Sequence, residues 1–196
     1  MNFDPLLLFV FFGLFSPGPN VILITASAAR FGFQRTLPHV LGVAFGVGVT
    51  SGLTGYGIGA LLLAQPALTI ALKILASLWI LYMAWKLWNA QASKADTAQD
   101  RPFTFVEAVL FQWVNPKVWA VALSAMAYVT TSDPLVAAAR LASAFSGINL
   151  FVCLFWSTMG ALLAYLLRNP TAWRFFMRGM ALLLAAFAPL VFLSPQ

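Results

Sequence analysis

The sequence predicts an all-α integral membrane protein with six transmembrane helices in two inverted three-helix repeats, the first and fourth helices broken by proline. Three observations predict it. The 196 residues are 62% hydrophobic and only 8% charged, with mean hydropathy +0.90, whereas soluble chains carry roughly 25% charged residues. The apolar residues fall into long runs near the ~20 residues that a helix needs to cross a ~30 Å hydrocarbon layer, and too continuous for barrel strands of about 10 residues. Finally, Ser16-Pro17-Gly18 and Asn115-Pro116-Lys117 lie 99 residues apart, close to half the chain length.

The first span is expected over residues 6–29, the second over 37–64 and the third over 67–89. The second carries seven glycines. Gly42/Gly46 and Gly48/Gly52 are GxxxG pairs, as is Gly55/Gly59, and they are expected to let one repeat pack closely on the other. The third ends in Trp79, Tyr82, Trp85 and Trp88, which read as an interfacial aromatic belt. The polar stretch AQASKADTAQDRP, residues 90–102, separates the halves, so the predicted repeats are 1–100 and 101–196. The fourth span covers 105–129, the fifth 135–167 and the sixth 173–193. The fifth is long for one crossing and must tilt or extend beyond the bilayer.

Charge orients the spans. Arg30, Arg35, Lys86, Lys94, Arg101, Arg168, Arg174 and Arg178 all fall on odd-numbered connections or their flanks. The even-numbered connections and both tails contain no Lys or Arg. The positive-inside rule then makes the basic side cytoplasmic and places both termini outside the cytoplasm, periplasmic or extracellular. The net charge of +6 reads as loop charge rather than as a nucleic-acid footprint. No signal peptide is expected, because residues 1–5 carry no Lys or Arg and Asp4 is acidic. The single cysteine, Cys153, can form neither an intrachain disulfide nor a CxxC pair and reads as a small core residue.

The breaks carry the chemistry. A proline inside a helix has no N–H for the carbonyl four residues back, so Pro17, Pro19 and Pro116 free the carbonyls of Gly13, Phe15 and Gln112. Such backbone must face protein or a wet cavity within a bilayer. Ser16 and Asn115 are good N-caps and proline suits the first helical position, so both motifs read as restarts of a helix. A restarted helix presents unpaired N–H groups and a partial positive charge, which attract anions. Matched breaks in inverted repeats mark the substrate site of transporters. Lys117 adds a full charge about 18 Å into its span, too deep for easy snorkelling. Lys73 and Arg140 lie nearer the outer ends of their spans, where snorkelling is expected. Ser146 and Asn149, mid-span in the fifth helix, are candidates for substrate contact or interhelical hydrogen bonds. Glu107 reads as a solvated helix-start carboxylate, and His39 as a packing or interface residue.

PGPN at residues 17–20, the Ala29-Arg30-Phe31-Gly32 turn, Gly42-x-x-x-Gly46 and FQWVNPKVW at 111–119 resemble the lysine exporter (LysE/RhtB) family over nearly the whole chain. The resemblance implies efflux of amino acids from the bacterial cytoplasm through the inner membrane, driven by the proton gradient. It marks Pro17, Gly18, Pro19, Asn20, Asn115, Pro116 and Lys117 as binding and gating residues, with Ser16 and Gln112 beside them. Exporters of basic amino acids in that family can carry carboxylates within the spans, and none lies deep here. Neutral, zwitterionic amino acids are therefore the expected cargo, since a buried cation needs a partner. The expected partners are the amino acid, a proton or other coupling ion and the lipid bilayer, with no nucleic acid; a homodimer is left open. No enzyme, cofactor or metal is expected. The alternatives are a membrane scaffold and a thiol-redox carrier of similar architecture, the second of which needs paired cysteines.

Overall fold

The computed structural model describes residues 4–58, 64–90, 101–167 and 169–193. Among them the chain forms eight α-helices and one 3-10 turn. Proline opens most of the helices, where its missing N–H costs nothing and its φ is already helical. Asp4 caps α1 (Pro5–Phe15), its side chain accepting the Leu6 N–H at 2.9 Å. The helices α2 (Pro19–Phe31), α4 (Pro66–Trp88), α6 (Pro116–Ala125), α7 (Pro134–Leu166) and α8 (Pro170–Leu193) begin the same way. The other two differ. α3 (Phe33–Gly55) follows α2 through Gly32, whose φ of 84° only glycine adopts readily. α5 (Phe105–Val114) starts on a capping box between Thr104 and Glu107. The turn Met126–Tyr128 follows α6.

Among the described residues four helices, α3, α4, α7 and α8, are long and apolar enough to cross a membrane, and the bent pair α1–α2 makes five. α5 and α6, of 10 residues each, meet at Asn115 and are individually too short. The second apolar run was expected to stay helical to residue 64. Instead α3 ends at Gly55, and Gly57 turns the backbone at φ 101°. Gly59, the 91–100 part of the polar loop with Lys94, and Arg168 lie outside the described residues.

α3 and α7 form the most extensive seam, followed by α4 with α8, α2 with α7 and α3 with α5. Each of these pairs joins one half of the chain to the other. α2 is almost wholly enclosed, with its residues from Val21 to Ala29 all buried. The glycines of α3 serve two opposite neighbours. A Cβ on Gly42 would overlap the Phe105 carbonyl oxygen, and one on Gly46 would come within 2.8 Å of the Gln112 side chain, both on α5. On the other face, a Cβ on Gly48 would lie 2.9 Å from Ser146, and one on Gly52 3.1 Å from Ala142, both on α7. Small residues thus let both backbones approach α3. Cys153 is buried in the main core.

Candidate functional site

Two chain breaks meet inside this scaffold. α1 ends at Phe15, and Ser16 closes it: its N–H donates to the Phe12 carbonyl at 3.2 Å. Its hydroxyl donates to the Gly13 carbonyl at 3.0 Å, filling the place of the N–H that Pro17 lacks. The axis then bends by 56°. The restart falls two residues later than expected, with Gly18 as N-cap and Pro19 as first residue of α2. Ser16 is therefore a C-cap and not an N-cap. The reason is the second proline, which disfavours helical backbone at the residue before it. Gly18 accordingly sits extended at φ −165°, ψ 179°.

Asn115 manages the other break alone, at the place the sequence indicated. Its N–H donates to the Gln112 carbonyl left without a donor by Pro116, at 3.3 Å. Its side-chain oxygen accepts from the Lys117 N–H at 3.2 Å, capping α6.

Two bridges tie the breaks together. The Lys117 ammonium donates to the Ser16 carbonyl and, at 2.8 Å, to the Ser16 hydroxyl. The Asn20 amide donates to the Gln112 side-chain oxygen at 2.9 Å, which also accepts from Asn115 at 3.4 Å. Lys117 thus offers its charge to the carbonyl end of α1 rather than reinforcing a helix N-terminus. Partial negative charge gathers at a helix C-terminus, and an ammonium with three donors seeks acceptors there. The Lys117 stem lies over Gly18, where a Cβ would approach its Cδ to 2.6 Å.

Several polar atoms on the elements around the breaks are buried without a partner: Asn20 Oδ1, Thr25 Oγ1, Asn149 Nδ2, Trp156 Nε1 and Ser157 Oγ. Buried polar groups are nearly always satisfied, so each marks a place for water or ligand. Asn149 and Trp156 stand two turns apart on one face of α7, and the Trp156 ring packs 5.5 Å from Phe15. Ser157 lies one turn before Gly160, whose Cβ would overlap the Thr25 carbonyl of α2. Ser146 belongs elsewhere: it faces Gly48 and lines an open groove of about 630 Å³ between α3 and α7. Trp156, Ser157 and Thr25 were not singled out from sequence, because only their lack of partners distinguishes them from ordinary packing residues.

Other polar side chains find partners away from the breaks. Glu107 accepts from the Arg101 guanidinium through both oxygens, at 2.6 and 2.8 Å, and completes the capping box. Arg140 is ion-paired with Asp4 at 2.9 Å instead of standing alone at the lipid boundary.

The LysE type translocator family model matches residues 11–194. An uncharacterized membrane protein of Pseudomonas aeruginosa is 34% identical over 55% of this chain and 54% of its own length. A cysteine/O-acetylserine efflux protein of Escherichia coli is 29% identical over 53% of this chain and 52% of its own. Its counterpart in Salmonella choleraesuis is 28% identical over 57% and 56%. The chain spans about half the length of the curated relatives it matches. No solved structure matches it.

Proposed function

The chain belongs to the LysE type translocator family, and on that premise we propose that it is a secondary transporter exporting neutral, zwitterionic amino acids or close derivatives from the cytoplasm. In this reading α1–α2 and α5–α6 each make one broken crossing. That gives six crossings in two inverted halves, residues 1–100 and 101–196, with the basic end cytoplasmic and both termini outside. The names of the Escherichia coli and Salmonella relatives support cargo of the amino-acid class.

The observation that carries the reading is the bridge from Lys117 to Ser16, which joins the two breaks. A substrate carboxylate competes with the Ser16 carbonyl for the ammonium, and it offers a full charge against a partial one. Binding then unties α1 from α6, which couples cargo to movement of one half against the other. The donors of Asn149 and Trp156 suit a carboxylate, and Asn20 Oδ1 suits an amino group. No acidic side chain is among the residues at the breaks, which disfavours cationic cargo. Export runs by proton antiport with alternating access.

The test is counterflow and efflux of radiolabelled neutral amino acids in proteoliposomes, with and without an imposed pH gradient. Lys117→Ala removes a charge-assisted hydrogen bond of ~1.5–3 kcal/mol, so flux should fall about tenfold or more while the protein stays inserted. Undiminished flux in that variant would remove Lys117 from the mechanism. Flux in the native protein that ignores the pH gradient would remove proton antiport.

A further inference from the structure

His39 is a buried titratable side chain that the transport reading leaves unused. It is 2% exposed on α3, and neither of its ring nitrogens has a partner. Packing accounts for the ring, which lies 4.9 Å from that of Phe103, but not for the two nitrogens. A neutral imidazole brings one donor and one acceptor, and a charged one brings two donors. Beside it is a cavity of about 70 Å³ at the basic end of the bundle, lined also by Ser27, Lys86 and Arg101. On this measure a water needs about 10–15 Å³, so the space holds several. Water there gives the imidazole a path for a proton toward one side of the protein.

Other groups that exchange protons are already engaged. Among the described residues, Asp4 pairs with Arg140, Glu107 pairs with Arg101, and Asp133 caps α7. The Lys117 ammonium is bound to Ser16, and Cys153 lies in the apolar core. Charged groups approach His39 from several elements: Arg30 of α2, Lys86 of α4 and Arg101 before α5 line the cavity. Glu107 of α5 is the acidic group within electrostatic range of the ring. On α3 itself Arg35 lies against the Phe31 ring. Between residues 141 and 164, α7 carries no titratable side chain but Cys153.

We propose that His39 is the proton-carrying residue of the transport cycle, taking up and releasing the antiported proton through this cavity. It rests on the proton-antiport reading and supplies the carrier that reading lacks. A protonated His39 has two N–H donors and, as the helices now stand, no acceptor. Both oxygens of the nearby Glu107 carboxylate are held by Arg101. A proton on His39 therefore competes with Arg101 for Glu107, which also caps α5. That helix ends at the second break. Gly46, seven residues or about 10 Å beyond His39 on α3, faces the Gln112 side chain that bridges to Asn20. Proton and cargo thus act on one seam from its two ends. If each favours the opposite arrangement of that seam, each lowers the other's affinity, as antiport requires.

The test uses proteoliposomes with a mixture of radiolabelled neutral amino acids at equal concentration inside and out. Valinomycin and equal potassium hold the voltage at zero. A gradient of one pH unit then supports a cargo ratio of about tenfold for each proton exchanged, ~1.4 kcal/mol. The native protein should build that ratio. His39→Phe, which keeps the ring packing, and His39→Gln should show counterflow but a ratio near one. A variant that reaches the native ratio would overturn the assignment and leave antiport standing. A native ratio near one would overturn antiport, and the assignment with it. Where neither variant shows counterflow, the native chain decides, because it has one histidine. Histidine-selective 15N spectroscopy of the untagged protein then sees a single imidazole. The amino-acid mixture should shift that signal toward the neutral form, and a signal indifferent to the mixture between about pH 5 and 8 would overturn the proposal.

Discussion

Two glycines separate function from stability at the level of single residues. A Cβ on Gly18 would meet the far end of the Lys117 side chain, with Cδ at 2.6 Å and Nζ at 2.9 Å. The backbone there is extended, which any residue adopts, and a lysine tip moves cheaply. Gly18→Ala should therefore displace Lys117 from Ser16 and lower flux, while leaving Tm nearly unchanged. A Cβ on Gly160 would instead overlap the Thr25 carbonyl, and backbone on a packed helix cannot step aside. Gly160→Ala should destabilise the fold by about 1–3 kcal/mol, read as a lower Tm in detergent. The reverse pattern, a stable Gly160→Ala and an unstable but active Gly18→Ala, would show that the two contacts have been misjudged. The sequence marked Gly18 through its motif but gave no sign of Gly160, because a lone glycine in a long apolar helix has many ordinary uses.

Apolar runs placed most helix starts to within a few residues, whereas the ties between helices were not visible in the sequence. α1 is short, and its outer end is tied to α7 by the Asp4–Arg140 pair across 136 residues. The Arg140 hydrogen bond, and then the Leu6 N–H, hold the Asp4 carboxyl below its ordinary value of 3.8. A carboxyl lowered on folding stabilises above its ordinary pKa, and that contribution is lost as pH falls through the lowered one. Native Tm should accordingly decline as pH drops below about 4, and Asp4→Asn should flatten that part of the profile. Since both side chains are more than a third exposed, the effect is small and shrinks with salt. An identical acid profile in Asp4→Asn would mean that the tie contributes nothing.

At the scale of the whole molecule, the principal seams all cross between the halves. α3 lies between α5 and α7, α4 lies on α8, and α2 is enclosed by α7, α3 and α8. Among the described residues of the first half, only α2 and α3 pack appreciably on one another. Neither half has enough internal packing to stand alone, since helix association in lipid depends on close packing between helices. Residues 1–100 expressed alone should be degraded, and co-expression with 101–196 should restore both; a stable, protease-resistant single half would contradict this. A reporter fused to the C-terminus that is active only outside the cytoplasm should be active, as the proposed orientation requires.

Composition by itself determined that the chain is a helical membrane protein, because so much apolar surface has no other stable solvent. Proline chemistry located the two interruptions, although Pro38 and Pro189 sit inside α3 and α8 without ending them. The FQWVNPKVW segment even placed Asn115 as the cap it proves to be. Tertiary structure alone decided what each interruption faces. Lys117 turned to the Ser16 carbonyl across the bundle, and Asn20 to the Gln112 side chain. A small cavity beside His39 likewise draws its walls from residues 23 to 103. Contacts between groups far apart in the chain depend on how the helices stack, and that information is spread over every packed face rather than written at the site.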